Sequence, residues 1–549
     1  MLILVAAAAL RFWSLPFGLD LHDPSRAVLN NLVDEHWMAR GELDGLLAGN
    51  LDAGDFLARG PAGFLVFGAL DAAALLPFAL AHPEGWAGLR ADLDANLSPL
   101  LLLHRLWSTL AGLAAVLVFA RFGRRHFGER AGLIAAAFLA TCYLHVRESH
   151  IGGVDVLFGM LFVCSLDALL DVARRGSRAD WVRAGLLSGA TAATKYFGGV
   201  LVLHALAAHL LSRRAARRRG TSPPPWTRLP LGAACMAAGM LVLSPSLVVQ
   251  PMAVLRKVQW SVETFAVRPT GGGLGDLIAY HARVSAWSGL GAAVCVLAGW
   301  GAWLGLRDGG PLRVLLLFTV LALPCALAME LNAVRYALPV LEGMVLLAAV
   351  AAARLLELRS SRATAQPPPA RASAPGAGRR ALAAALVAGC VLPGVLRCIA
   401  YDTRVARTDT RLIMLDRLAE LHAARDEVVA FGIHGLPRPS EQLPQPFVDL
   451  YREFRQDRQL PARIAADPPR YVLFEPGAPD YARWIGFDPR ELIARRYRVV
   501  FVADGRVDPS ATSYAQLIDS GVPTHMMPFA RPQAVDFPGP VLQLYERTD

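Results

Sequence analysis

Apolar runs of roughly 20 residues recur along almost the whole chain, and no other feature constrains its fold as strongly. A helix needs about 20 apolar residues to cross the hydrocarbon core of a bilayer, where water cannot satisfy exposed backbone groups. Of the 549 residues, 54% are hydrophobic, and the mean hydropathy is positive. That balance excludes an ordinary soluble enzyme. All seven cysteines (Cys142, Cys164, Cys235, Cys295, Cys325, Cys390 and Cys398) fall inside apolar runs. The sequence therefore offers no disulfide framework and no paired-cysteine metal site. A net charge of +10 does not point to nucleic acid, because much of the basic excess sits in short loops between the runs. The first ten residues are apolar at once, with no basic leader and no small-residue cleavage site, and read as a first membrane helix.

Basic clusters set the topology. They occur at Arg121–Arg125, at Arg174–Arg175 with Arg178, at Arg213–Arg219, at Arg307 with Arg313, and from Arg359 to Arg380. The positive-inside rule puts all five in the cytoplasm, so an even number of crossings must separate neighbours. Spans at roughly 1–17, 99–120, 130–146, 154–173, 182–195, 198–212, 229–249, 284–306, 313–331, 336–356 and 381–400 satisfy this. These eleven put the N-terminus inside and the C-terminal region outside. The further run 62–82 breaks the parity if counted, and reads instead as a helix lying on or dipping into the outer interface.

The fold class is thus an α-helical polytopic membrane protein with a C-terminal α/β domain. Residues 1–400 form the multi-span domain, with outer loops at 18–98 and 250–283 and a Pro- and Ala-rich cytoplasmic linker at 357–380. Residues 401–549 form the extracytoplasmic domain. Its short apolar runs, at 427–431, 470–474, 499–502 and 541–545, read as strands between helical segments.

Of the 55 basic residues only Lys195 and Lys257 are lysine. Lys195 lies in the stretch 182–212, which is too long for one span and too short for two full ones. Two short helices meeting at a recessed turn, Lys195 to Gly199, resolve the length, and a polar turn of that kind suits a membrane-embedded cavity. An ammonium in such a segment is costly without a cavity or an anion beside it; otherwise it snorkels to the membrane edge.

On this topology the unusual polar residues gather at outer helix ends. They are Asp20, His22 and Asp23; His104 and Arg105; Glu148, His150 and Asp155; Lys195 and Tyr196; and Asn332, Arg335 and Tyr336. Carboxylates and cations on one membrane face suit a site that handles an anion and moves a proton. Each residue alone has a plain alternative. Asp23 reads equally as a loop carboxylate, His150 and Asp155 as helix caps, and Arg105 and Arg335 as helix anchors. The pair Asp34–Glu35 sits in an amphipathic interfacial stretch.

At this point the residues resemble a family. The order Arg105-Leu-Trp-Ser-Thr-Leu-Ala-Gly, Phe122-Gly-Arg-Arg-His-Phe-Gly, Ser149-His150 with Asp155, Thr194-Lys195-Tyr196, and Arg335-Tyr336 with Pro339 is similar to the family 39 glycosyltransferases. These are membrane enzymes of the GT-C fold, related to protein O-mannosyltransferases and the lipid A aminoarabinose transferase. The start of the C-terminal region and its last strand are also similar to bacterial members. The resemblance implies a bacterial cytoplasmic (inner) membrane enzyme whose site faces the periplasm or exterior. It implies a sugar donor on a polyprenyl phosphate and an acceptor that is lipid, glycan or protein.

In the family the first outer loop carries an Asp-Glu pair whose Asp is the base. Here Asp23 is kept and the Glu is replaced by Pro24. A role needing two adjacent carboxylates, such as a metal site, loses its basis. The departure leaves open that Asp20 shares the work of Asp23, or that the enzyme is impaired. No cofactor follows from the sequence, and a divalent metal has no motif behind it.

The resemblance casts Asp23 as the base, with Asp155 beside it in the catalytic set. Lys195, Arg335 and Arg105 would meet the donor phosphate, and Asp20, His150, Tyr196 and Tyr336 would support the site. A single displacement inverts the anomeric centre, so one base suffices. The rival readings are a transporter or flippase of a lipid-linked sugar and a non-catalytic relative. A transporter favours polar groups at the midplane of repeated halves, and no internal repeat is present.

Overall fold

The apolar runs form helices, only some of which begin with a polar cap. The computed structural model describes residues 1–17, 19, 21, 39, 41, 43–45, 47, 61–256, 259, 274–327, 334–361, 377–422, 427–431, 447–454, 457–476, 487–504 and 541–548. They form two compact units: Met1–Trp13, Gly41–Ala72 and Arg105–Cys398 in the first, and Ser14–Arg40, Ala73–His104 and Ile399–Asp549 in the second.

The helices that carry the argument are α1 (Leu2–Phe12), α2 (Pro61–Ala81), α3 (Gly85–Ala95), α4 (Ser98–Phe127), α5 (Glu129–Ala140), α6 (Tyr143–Ser149), α7 (Asp155–Arg174), α8 (Arg178–Thr194) and α9 (Leu201–Arg218). They continue as α10 (Arg228–Leu243), α11 (Ala292–Asp308), α12 (Gly310–Leu321), α13 (Leu323–Leu327), α14 (Leu338–Ser361) and α15 (Ala377–Val405). Among the described residues, five helical stretches are long and apolar enough to cross a membrane alone. They are Ser98–Phe127, Asp155–Arg174, Tyr196–Arg218, Gly310–Leu327 and Val334–Leu356. Two bent pairs raise the number to seven: Leu65–Ala81 with Gly85–Ala95, at 111°, and Leu274–Ser288 with Ala292–Asp308, at 112°.

Several of the eleven expected runs are short or broken helices among the described residues rather than single long ones. The run 130–146 divides at Thr141–Cys142 into α5 and α6. Arg11 of α1 reaches across to the end of α5, its Nη1 donating to Ala140 O at 3.0 Å and its Nη2 to Leu139 O at 3.2 Å. A guanidinium on the last carbonyls of a helix caps it and favours its negative end. The run 284–306 begins as a π-helix, His281–Ser288, and turns sharply before α11. The run 62–82 is α2, which with α3 makes the first bent pair.

Helix α8 starts with a capping box, in which Ser177 Oγ accepts from the Asp180 N–H at 3.2 Å and Asp180 Oδ2 accepts from the Ser177 N–H at 3.1 Å. It packs on α10 through a seam of glycines. A Cβ on Gly185 would lie 2.6 Å from Gly232 O, and one on Gly239 would lie 2.6 Å from Leu186 O. Lipid tails supply no hydrophobic drive between helices, so close backbone approach between small residues is what holds such a pair.

In the second unit a five-stranded sheet is built from β1 (Val428–Phe431), β2 (Val448–Asp449), β3 (Tyr471–Phe474), β4 (Tyr497–Ala503) and β5 (Leu542–Arg547), in the order β2-β1-β3-β5-β4. Strands β2, β1 and β3 are parallel, whereas β5 runs antiparallel to β3 and β4. Alternate residues serve two cores. Val428, Ala430 and Leu473 pack with Met414 and Leu418 of α16 (Thr410–Glu420), and Val429, Phe431 and Val472 pack with Leu460, Ile464 and Ile493. All four runs expected to be strands lie on or overlap β1, β3, β4 and β5.

Candidate functional site

The break between α8 and α9 brings four of the expected residues together. Lys195 ends α8 in extended conformation, with φ −148° and ψ 130°. Its N–H still donates to Thr191 O at 3.1 Å, and its carbonyl accepts from Gly198 N–H at 2.8 Å. A 3-10 turn, Tyr196–Val200, then leads into α9. A Cβ on Gly198 would stand 2.7 Å from the backbone nitrogen of Ala192, so only glycine lets the turn fold back on the last turn of α8.

The Lys195 ammonium forms an ion pair with the Asp155 carboxylate, both side chains being nearly buried at 11% and 13% exposure. Asp155 is the first residue of α7, where a negative charge also favours the positive end of the helix. The same ammonium lies 5.1 Å from the centroid of the Tyr336 ring, and the Arg335 guanidinium lies 5.5 Å from it. Two cations facing one ring exploit its negative faces. Phe197, in the turn, meets Tyr336 edge-on at 5.5 Å. Arg335 and Tyr336 stand on a second short 3-10 segment, Val334–Ala337, just before α14. The site is thus made from helix ends and turns, with long helices holding them apart and in place. Tyr196 points elsewhere: it packs beside Val254 and Leu65, its hydroxyl buried.

His150 and Arg105 belong to a second cluster, around Arg11. Both are fully buried. The two ring nitrogens of His150 lie 2.9 Å from Val146 O and 2.8 Å from Trp13 O. His150 thereby ties the short connection between α6 and α7 to the end of α1. Burial pushes its imidazole down to about 4, the two carbonyls oppose that, and the positive charges of Arg11 and Arg105 add to it. Thr109 of α4 donates to Ser149 O at 2.9 Å, and Arg11 Nη2 lies 3.0 Å from His145 Nδ1. The expected base Asp23, together with Asp20, His22, Pro24, Asp34, Glu35 and Asn332, lies outside the described residues.

Three further polar features have partners that only the structure shows. Arg147 and Glu148 form a buried ion pair between chain neighbours. Asp71, in the middle of α2, is fully buried and accepts a hydrogen bond from Trp107 Nε1 at 2.8 Å. At the other end of α4 an ion network joins three helices. Arg125 reaches Asp167 at 2.8 Å and Asp171 at 2.5 Å, His126 reaches Asp167 at 2.7 Å, and Arg183 of α8 pairs with both aspartates. The signal was there, as two carboxylates four residues apart on one face of an apolar run. The arginines read as topology markers are also structural counter-ions.

Residues 102–247 match the family model described as dolichyl-phosphate-mannose-protein mannosyltransferase. That stretch contains Arg105, His150, Asp155 and Lys195. Among solved structures, the chain is similar to ArnT from Cupriavidus metallidurans bound to undecaprenyl phosphate. Identity is 15%, the TM-score is 0.50, and the match covers 88% of this chain and 94% of that one. The apo state of the same protein matches at 16% identity, with the same coverage and a TM-score of 0.50. The oligosaccharyltransferase of Archaeoglobus fulgidus, tethered with an acceptor peptide, matches at 14% identity and a TM-score of 0.52, over 86% of this chain and 68% of that one. No curated protein sequence matches.

The chain is a multi-pass membrane protein with the GT-C fold of membrane glycosyltransferases. Residues 102–247 resemble the protein O-mannosyltransferase family by its model, and the fold as a whole resembles that of ArnT.

Proposed function

We propose that this chain is an integral membrane glycosyltransferase. It moves a sugar from a polyprenyl-phosphate donor to an acceptor hydroxyl at the outer face of the membrane, with inversion. The observation that carries this reading is the meeting of Lys195, Asp155, Arg335 and Tyr336 at the break between α8 and α9. The ArnT structure supports it from outside, since its bound undecaprenyl phosphate is a polyprenyl phosphate without sugar, the group that would leave in the proposed reaction. In this reading 1–400 is the transferase domain and 401–549 an extracytoplasmic domain of a bacterial inner-membrane protein.

The steps follow from charge. An acceptor hydroxyl attacks the anomeric carbon as Asp23 takes its proton. The bond from that carbon to the phosphate oxygen breaks, and negative charge grows on the departing lipid phosphate. Lys195 and Arg335 stabilise that charge; Arg105, also expected there, is buried in the cluster around Arg11 and His150 instead. Asp155 holds the Lys195 ammonium in place until phosphate shares it. Lipid, glycan and protein acceptors all present the hydroxyl this chemistry needs.

Membranes carrying the protein, given labelled polyprenyl-phosphate sugars, test the reading. Asp23→Asn and Lys195→Ala should each lower transfer by roughly a hundredfold or more. Transfer at the wild-type rate by either variant sinks the mechanism, and retention of anomeric configuration sinks the single displacement. Sugar-lipid uptake by reconstituted vesicles with no transfer favours a transporter instead.

A further inference from the structure

Glu342 lies in the second turn of α14, inside an otherwise apolar span. It is 1% exposed, and neither carboxyl oxygen has a hydrogen-bond partner among the described residues. Its carboxyl rests on Gly159 of α7. A Cβ on Gly159 would overlap Oε1 and stand 2.9 Å from Cδ. Gly159 follows Asp155 by four residues, so the two share one face of α7, one turn apart. The next residue of α14, Gly343, is held from another side, where a Cβ would meet the Thr319 side chain of α12. Helix α14 also begins just after Arg335 and Tyr336. The Glu342–Gly159 contact therefore joins the helix that carries Asp155 to the helix that follows the two residues facing Lys195.

We propose that Glu342 is a positioning residue: its carboxyl, seated in the notch at Gly159, sets the height of Asp155 against Lys195 and Tyr336. The inference concerns the site assigned to donor phosphate above and rests on that reading for its functional meaning. The contact is one of size. A methyl group at Gly159 would overlap the end of the Glu342 side chain; because that end is enclosed at 1% exposure, the room it needs is taken from the packing of α7 on α14, and shortening the acid by one methylene restores it. The Asp155 carboxylate covers the Lys195 ammonium, so displacing Asp155 uncovers it.

The scarcity of lysine makes this directly readable. Brief acetylation of the full-length purified protein with acetic anhydride, followed by mass spectrometry, reports Lys195 with Lys257 as reference in the same sample. Gly159→Ala should raise Lys195 labelling about fivefold relative to Lys257, a change of the size expected for coupled neighbours. Adding Glu342→Asp to that variant should return the labelling to near the wild-type level. Glu342→Ala alone should also raise it, and Glu342→Gln, which keeps the volume, should not.

Unchanged labelling in Gly159→Ala, or no reversal by Glu342→Asp, overturns the proposal. If Gly159→Ala fails to fold, the contrast between Glu342→Ala and Glu342→Gln decides: equal labelling overturns the proposal, and unequal labelling supports it. These measurements use no lipid. Protection of wild-type Lys195 by added undecaprenyl phosphate tests the donor reading separately. Absence of protection with the size reversal intact would reject that reading and leave the positioning role standing.

Discussion

The ammonium of Lys195 and the carboxylate of Asp155 are costly only when parted. Each is nearly buried, and each is the other's counter-ion. Removing one charge of a buried pair leaves the other uncompensated and costs about 3–5 kcal/mol, whereas removing both is often close to neutral. Asp155→Asn should therefore lower the melting temperature of the purified protein, and Asp155→Asn with Lys195→Met should recover most of the loss. Neither variant should transfer sugar, which separates stability from chemistry in one pair of measurements. His150 gives the residue scale its pH dependence. Its imidazole sits at about 4 in the fold against an ordinary 6.5, so the unfolded chain binds the extra proton first. Its contribution is complete above pH 6.5 and is lost as pH falls from there toward 4. At full extent it amounts to about 3 kcal/mol. Melting temperatures measured between pH 7 and pH 4.5 should fall less steeply in His150→Gln than in wild type.

Among the elements, those whose length conflicts with a bilayer crossing were the easiest to read from the chain. The 31 residues of 182–212 could only be two short helices, and the break falls at Lys195. Strands showed themselves as short apolar runs between polar stretches. The division of 130–146 could not be read, because the group that caps the end of its first helix, Arg11, lies more than a hundred residues away. The π-helix at His281 has no local signature in propensity. Glu342 was legible in principle as a lone acid in a span, but its partner is the missing side chain of Gly159, and a contact with an absence leaves no pattern in the sequence. The same holds for the α8–α10 seam, whose glycines look like ordinary small residues until the two helices are side by side. Gly189 belongs to it, a Cβ there standing 2.8 Å from Met240 N. Gly189→Val should force the helices apart and cost about 1–3 kcal/mol, as overpacking does. A lower yield of detergent-stable protein and an earlier melting transition would register this; unchanged melting would mean the seam is loose.

At the scale of the molecule, two units of different chemistry share one chain. The first is a helical assembly whose polar groups are spent on helix ends, ion pairs and one cluster of turns. The second holds a sheet covered on both faces by its own helices and connecting segments. Strand β5 lies between β3 and β4, and β4 pairs with β5. Deleting residues 541–549 should thus unravel the sheet. Limited proteolysis should then digest 401–540 while fragments of 105–398 survive, and resistance of 401–540 would show that the sheet closes without β5. The position of β5 also has a consequence in time. When β3 emerges during synthesis its outer edge has no strand beside it. The chain from the end of β3 to the start of β5 takes roughly 3–13 seconds to make at ordinary elongation rates. For that interval β3 offers an open edge, the kind of surface on which chains stick to one another. Slower elongation between β3 and β5 should therefore lose more of the protein to aggregation.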